Sequence, residues 1–223
     1  FIQPYVSFLD IEDIKFTSQN AFFFRINKKF RLKDFELKSD IKIESAKFIN
    51  KFNLKDFFPQ IKKNINITNH NLQINYKNNS FDIIGEGNIL FQNNLDKLIY
   101  SINKKDKKYN FETSIDLNKN PLTLDFLNYN KDKSSQAKIK FKGESNKIKT
   151  NLKLISIVDE DIKLKIEELK LNNKFQILDL RRFDIDYTDI ENKKNKINIV
   201  KNKNNFLLRS PTLNAEQLID NLL

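Results

Sequence analysis

The chain has 223 residues, a net charge of +11 and neither cysteine, methionine nor tryptophan. The lack of cysteine excludes a disulfide framework, a thiol nucleophile and a thiolate metal site. Because there is no methionine, the first residue is not a translation start, and we expect a segment of a longer polypeptide.

The positive charge is spread along the whole chain instead of being gathered in one short run. Most lysines occupy the polar positions of alternating segments, which predicts a solvated lysine and asparagine face and no nucleic-acid partner. An anionic membrane surface stays open as a partner for the same charge. No stretch approaches the roughly 18 consecutive apolar residues of a membrane-spanning helix.

The N-terminal quarter of the chain is its least regular part. Residues 1–29 contain one strand, or a strand with a turn, followed by a dense apolar run at 21–26. A break in the alternation predicts a bulge or turn at Lys33-Asp34. At 50–63 the apolar spacing becomes closer to helical and Pro59 interrupts it, which predicts a short helix or a compact loop.

From residue 65 onward, apolar and polar residues alternate almost without interruption. Side chains of a strand point alternately to opposite faces, so each segment has one apolar and one charged face. Polar clusters separate the segments every ~10 to 14 residues, which predicts an antiparallel meander. Asn78-Asn79 suits a tight turn, since asparagine tolerates positive φ. Residues 214–222 have helical spacing and predict a short closing helix.

The predicted fold class is all-β, a long antiparallel meander curled into an open groove and completed by a short C-terminal helix. No linker or composition break divides residues 1–223, so we expect a single β segment of a larger protein. A sheet of more than about ten strands curls or splits. The sequence leaves a groove and a closed sandwich both open, because both bury one face.

No catalytic constellation stands out, and we expect no enzyme, no cofactor and no metal site. His70 is the only histidine, has no ligand-type neighbours and is predicted to be a surface or turn residue. The aspartates at 184–189 lack the glycine and terminal glutamate of a calcium loop, so a solvated strand face is preferred. Gly85 and Gly87 precede another strand, which favours a bulge or kink over a phosphate loop.

In segment order, the chain resembles the C-terminal repeats of AsmA-like proteins, the family that includes the TamB and YhdP types. The similarity lies in the succession HNLQINYKNNSFDIIGEGNILFQNNLDKLIYSI, KYNFETSIDL and LTLDFLNYNKDKSSQAKIKFKG. It extends to the close FLLRSPTLNAEQLIDNLL, in which Asn214-Ala215 stands where the family often has Asp-Ala. It covers residues 61–223 and rests on pattern and order.

The resemblance implies a non-enzymatic bridge that carries phospholipid between the inner and outer membranes through an apolar groove. It implies a periplasmic location, with anchoring in the inner membrane by a segment outside this chain. The implied partners are phospholipid acyl chains, and membranes through regions outside this segment.

The alternation predicts which side chains would line such a groove on one concave face. They are Phe111, Ile115, Leu124, Phe126, Ile139, Phe141, Leu152, Leu154, Leu164 and Ile166. The alternative from another class is a structural or adhesive β-sandwich domain of an envelope protein, whose apolar face packs against itself.

Overall fold

A computed structural model describes residues 11–50, 54–131 and 134–214, and it confirms the all-β class. A single antiparallel sheet of twelve strands dominates this part of the chain. The strands are β1 (Ile11–Ile26), β2 (Leu32–Ile49), β3 (Asn64–Lys77), β4 (Ser80–Leu90), β5 (Asp96–Lys105), β6 (Lys108–Leu117), β7 (Thr123–Leu124), β8 (Tyr129–Asn130), β9 (Ala137–Ser145), β10 (Lys149–Val158), β11 (Ile162–Asn172), β12 (Ile177–Thr188), β13 (Lys194–Asn202) and β14 (Asn205–Thr212).

The sheet is a meander, because neighbours in the chain are neighbours in space with one exception. Strand β6 pairs with β9, since the short strands β7 and β8 form a separate hairpin outside the sheet. Strands β1 and β14 lie at opposite edges and do not pair with each other, so the sheet is open and not a closed barrel. No second large sheet faces it among the described residues.

Because the strands are antiparallel, their connections alternate between two rims of the sheet. We call one the basic rim, formed by residues 27–31, 78–79, 106–107, 146–148, 173–176 and 203–204. We call the other the capped rim, formed by the described parts of the connections at 50–63, 91–95, 118–136, 159–161 and 189–193.

Several local predictions can be compared with the backbone. Asn78 and Asn79 both have positive φ, which confirms the tight turn. Asp34 has φ 51° next to a register shift between β1 and β2, which confirms the bulge. Residues 54–63 form a compact loop of turns without a helix. The predicted C-terminal helix at 214–222 lies, from residue 215 onward, outside the described residues.

The main hydrophobic core forms where the connections of the capped rim fold back over one face of the sheet. We call this face the inner face, and the segments 54–63, 91–95 and 118–131 that cover it the cap. The cap contributes Leu122, Leu124, Leu127 and Tyr129, none of which is more than 4% exposed. From the sheet they meet Ile139, Ile157, Ile162, Leu164, Ile185 and Ile197. Burial of each large aliphatic side chain contributes about 1.5–3 kcal/mol.

Buried polar side chains join the segments of the cap to one another. Gln92 donates from its amide to the carbonyl of Pro121 at 2.9 Å. Asn120 donates to the carbonyl of Asn94 at 2.7 Å and accepts from the N–H of the same residue at 2.9 Å. Asp96 accepts from the N–H of Asn118, and its burial raises the pKa of this carboxyl. These bonds satisfy polar groups that would otherwise be costly to bury.

Candidate functional site: the uncovered inner face

The inner face continues from the cap towards the basic rim, and there no described segment covers it. A row of apolar residues crosses eight strands in this region. Register pairs each member with the next, and we call Ile74, Ile83, Ile102, Phe111, Gly143, Leu152, Leu169 and Leu180 the apolar row. With about 4.8 Å between strands, the row extends for roughly 34 Å.

Apart from Gly143, which is buried, the residues of the apolar row are half-buried, and the whole row lies outside the two buried core clusters. Their neighbours on the same face, towards the basic rim, are also largely apolar. Phe81 and Tyr109 approach each other with ring centroids 6.1 Å apart, and the ammonium of Lys104 lies over both rings. The region is therefore an apolar surface with a partly cationic border.

All three glycines of the chain lie beneath an aromatic ring on the inner face. A Cβ on Gly85 would lie 2.6 Å from the hydroxyl of Tyr100, and a Cβ on Gly143 would lie 2.9 Å from Cζ of Phe111. Neither glycine has positive φ, so the missing side chain provides space and not conformational freedom. The bare backbone lets a ring from the adjacent strand lie close to the sheet, a known pairing of glycine with an aromatic residue.

Gly87 leaves room in the same way for the imidazole ring of His70, and this pair lies at the border between the cap and the uncovered part of the inner face. A Cβ on Gly87 would lie 2.5 Å from both Cα and Nδ1 of His70. The predicted kink at the two glycines lies on the adjacent strand instead, where β3 shifts register against β4 between Thr68 and Asn71. Asn69 takes φ 48° within this irregularity.

His70 was predicted to be a surface or turn residue, and that prediction is wrong because its side chain is only 1% exposed. The imidazole stacks on Tyr100 with centroids 5.5 Å apart, and Nε2 lies 3.3 Å from the hydroxyl. Burial lowers the pKa of His70 and outweighs the Glu86 carboxylate, which acts in the opposite direction. Nδ1 has no hydrogen-bond partner. In the described part of the chain, no group of three or more His, Asp or Glu residues could hold a metal ion.

The residues predicted to line a groove fall into three environments. Phe111, Ile115, Ile139, Phe141, Leu152, Leu164 and Ile166 share the inner face by register. Within this set, Ile139 and Leu164 are 2% and 5% exposed beneath the cap, whereas Phe111 and Leu152 belong to the apolar row. A role of these side chains in lipid binding stays a prediction.

Leu124, Phe126 and Leu154 do not share the inner face of the sheet. Leu154 lies opposite Lys142 and Glu167, because a register shift between Leu152 and Leu154 moves it to the charged face. Leu124 belongs to the cap, and Phe126 lies in its 3₁₀ turn (Asp125–Leu127), where it is 45% exposed. A prediction that assumes strict alternation cannot detect an inserted residue or a segment that leaves the sheet.

The predicted groove lining does not include the residues of β3 to β5 that complete the apolar row. Ile74, Ile83 and Ile102 carry the same alternating signal as the predicted set. Pairing of Ile83 with both Ile74 and Ile102 places them on the face that holds Phe111. That signal was present at 65–105 and could have identified them.

Lysines and acids of the opposite face form cross-strand ion pairs, as expected for a solvated face. Lys142 pairs with Glu112 at 3.1 Å. Hydrogen bonds from Lys108 and Lys153 lower the pKa of Glu144 to about 2. Exposed pairs of this kind add little stability, but they neutralise much of the lysine charge on this face.

The acidic group at 184–189 is divided between two environments. Asp184 and Asp186 lie on the charged face, where Asp184 binds Arg182 and Asp186 lies 3.4 Å from Lys196. Asp189 is only 4% exposed and accepts from the N–H groups of Glu191 and Lys193. The predicted solvated strand face is therefore correct for Asp184 and Asp186, whereas Asp189 is a buried residue that accepts hydrogen bonds within a turn.

Comparison of the chain with protein-family models, with curated proteins and with solved structures finds no match. In the described part of the chain, no helix has the length and apolarity needed to cross a bilayer.

Proposed function

We propose that the uncovered inner face binds phospholipid acyl chains, and that the chain is a segment of a non-enzymatic bridge between the inner and outer membranes. The observation that carries this proposal is the apolar row, which is continuous across eight strands and has no facing layer among the described residues. A contiguous uncovered apolar surface is typical of a binding site.

The dimensions of the row suit an acyl chain. A bilayer core of about 30 Å contains two leaflets, so one chain spans about half of that distance. The row, at roughly 34 Å, is long enough for a chain to shift along it without leaving apolar contact. Movement of this kind needs no covalent step, and the proposed role of the protein is to keep water away from the chain.

The location follows from the proposed role and from the resemblance in segment order. We place the chain in the periplasm, with attachment to the inner membrane by a segment outside it.

A structural β domain is the second candidate, and the buried half of the inner face favours it. Beneath the cap, the inner face is an ordinary core with side chains such as Ile162 and Ile185 at 1% exposure. If the same held for the whole inner face in solution, the apolar row would have a packing role alone.

Two consecutive isoleucines provide a matched pair of variants for the test. Ile83 belongs to the apolar row, whereas Ile84 is 53% exposed on the charged face. We expect Ile83→Asp to keep the fold, because water reaches the site, and to lose bound lipid. Ile84→Asp introduces the same charge one residue away and should retain lipid.

The measurement is native mass spectrometry of each protein purified without added lipid, alongside binding of a fluorescent phospholipid. Circular dichroism verifies the strand content of both variants. Absence of lipid from the unmodified chain would contradict the proposal, and so would equal lipid binding by the two variants. Unfolding of Ile83→Asp alone would favour the structural domain, because an unpaired carboxylate is intolerable only in a closed core.

A further inference from the structure

Within the described ranges of the chain, three hairpin turns share one backbone design. They are Asn27–Arg31 and Asn172–Gln176 on the basic rim and Asp189–Lys193 on the capped rim. In each, the N–H of the first residue donates to the carbonyl of the fifth at 3.0 Å, and the N–H of the fourth donates to the carbonyl of the first. The side-chain oxygen of the first residue also accepts from the N–H groups of the third and fifth.

The fourth residue of this turn adopts a left-handed backbone, and its identity differs between the rims. On the capped rim it is Asn192 at φ 62°, a residue that tolerates this conformation. On the basic rim it is Phe30 at φ 55° and Phe175 at φ 60°. A bulky aromatic residue is an outlier at positive φ. Such outliers are a reason to look for a function.

Both phenylalanines also project into solvent, so folding gains little from them. Phe30 is 91% exposed and Phe175 is 72% exposed. The turn between β9 and β10 also carries an exposed apolar side chain, because Ile148 is 76% exposed, and the N–H of Ile148 donates to Oδ1 of Asn146. Exposed apolar side chains thus occupy the tips of three hairpins on one rim.

Cations flank every one of these apolar tips. Lys28, Lys29 and Arg31 surround Phe30, and Lys174 precedes Phe175. In the described residues these four side chains form no ion pair, in contrast to the paired lysines of the charged face. The tight turns of the capped rim are acidic instead, as in Asp159-Glu160-Asp161.

We propose that the basic rim docks on an anionic membrane surface, with Phe30, Ile148 and Phe175 entering the interface between the lipid head groups. Apolar tips gain hydrophobic contact there, while flanking lysines and arginine meet anionic head groups. The proposal is independent of acyl-chain binding. It would also bring the uncovered half of the inner face, which adjoins this rim, next to the lipid surface.

The lack of native tryptophan makes each tip a unique fluorescence site. Phe30→Trp and Phe175→Trp report from the basic rim, and Ile190→Trp reports from the capped rim, where Ile190 is 63% exposed. The probe is a vesicle of phosphatidylcholine with or without phosphatidylglycerol. We expect the tryptophan emission at positions 30 and 175 to shift to the blue only with the vesicles that contain phosphatidylglycerol. No shift at these sites, or an equal shift at 190, would overturn the proposal.

A second pair of substitutions separates binding from folding. Because asparagine suits the left-handed position, Phe30→Asn with Phe175→Asn should keep or raise the melting temperature. Vesicle binding should fall by roughly tenfold for each phenylalanine removed from the interface. Ile190→Asn is the control and should leave binding unchanged. Undiminished vesicle binding by the double variant contradicts the proposal.

Other partners give distinct results in the same experiments. Binding of duplex DNA at physiological salt, without binding of anionic vesicles, would assign the rim to a nucleic acid and overturn the membrane proposal. Self-association of the unmodified chain that the double Asn variant abolishes, without vesicle binding, would assign the tips to a contact between copies. If the double Asn variant loses vesicle binding but still binds the fluorescent phospholipid on the uncovered inner face, docking is supported and the acyl-chain proposal stays intact.

Discussion

The close contact between aromatic rings and glycines on the inner face predicts how glycine substitutions change the free energy of unfolding. Substitution by alanine places a Cβ in contact with different atoms at Gly85 and at Gly143. At Gly85 the three nearest atoms all belong to the far end of the Tyr100 ring. At Gly143 the nearest atom is the backbone carbonyl oxygen of Asn151 at 2.5 Å, and Cζ of Phe111 follows at 2.9 Å.

Both single substitutions should destabilise the protein by about 1–3 kcal/mol, the usual cost of overpacking. The two penalties should respond differently when the ring is removed. In a Tyr100→Leu background no ring atom remains above Gly85, so Gly85→Ala should become neutral or stabilise by about 0.4–1 kcal/mol. In a Phe111→Leu background the Asn151 carbonyl still blocks the Cβ, and Gly143→Ala should remain costly.

The assay is a pair of double-mutant cycles measured by urea unfolding and followed by far-UV circular dichroism. A coupling energy of at least about 1 kcal/mol is expected between positions 85 and 100, and a smaller one between 143 and 111. Equal coupling in the two cycles would refute the reasoning that backbone and side-chain contacts differ. A stabilising Gly143→Ala in the unmodified chain would show that the Asn151 carbonyl oxygen and the Phe111 ring do not lie this close to position 143.

Two further predictions concern buried polar groups. Because burial lowers the pKa of His70, its ring signals in NMR should titrate below the ordinary value of about 6.5. The unfolded chain takes up this proton first, so the free energy of unfolding should fall as the pH drops below about 6.5, and His70→Phe should lack this change. The hydroxyl of Tyr129 donates to Asp159 from a side chain that is 2% exposed. Tyr129→Phe should therefore cost about 1 kcal/mol in thermal or urea unfolding, and a neutral result would remove this bond from the interactions that hold the cap.

Most of the sheet could be predicted from alternation and turn chemistry. The asparagine pair at 78–79 and the bulge at 33–34 were predicted because the responsible interactions are local. The alternating faces of β6, β9 and β11 likewise follow from a two-residue period. The site was predicted in part, since Phe111 and Leu152 were assigned to the face on which they lie.

The remaining features depend on residues far apart in the chain. Whether the connection at 118–136 leaves the sheet is decided by packing of Leu122 and Leu127 against strands β9 to β13. That packing converts Ile139 and Leu164 from groove-lining candidates into core. Leu154 changed face because one extra residue enters β10 opposite β9.

Sequence by itself therefore determined the all-β class, the meander and the division into an apolar and a charged face, because a two-residue period is a property of the extended backbone. The tertiary structure alone decided that the sheet is open, that a cap closes one half of the inner face, and that His70 is buried against Tyr100. It also placed Phe30 and Phe175 at equivalent turn positions on one rim. These features depend on which distant segments meet, and no local pattern of residues specifies that.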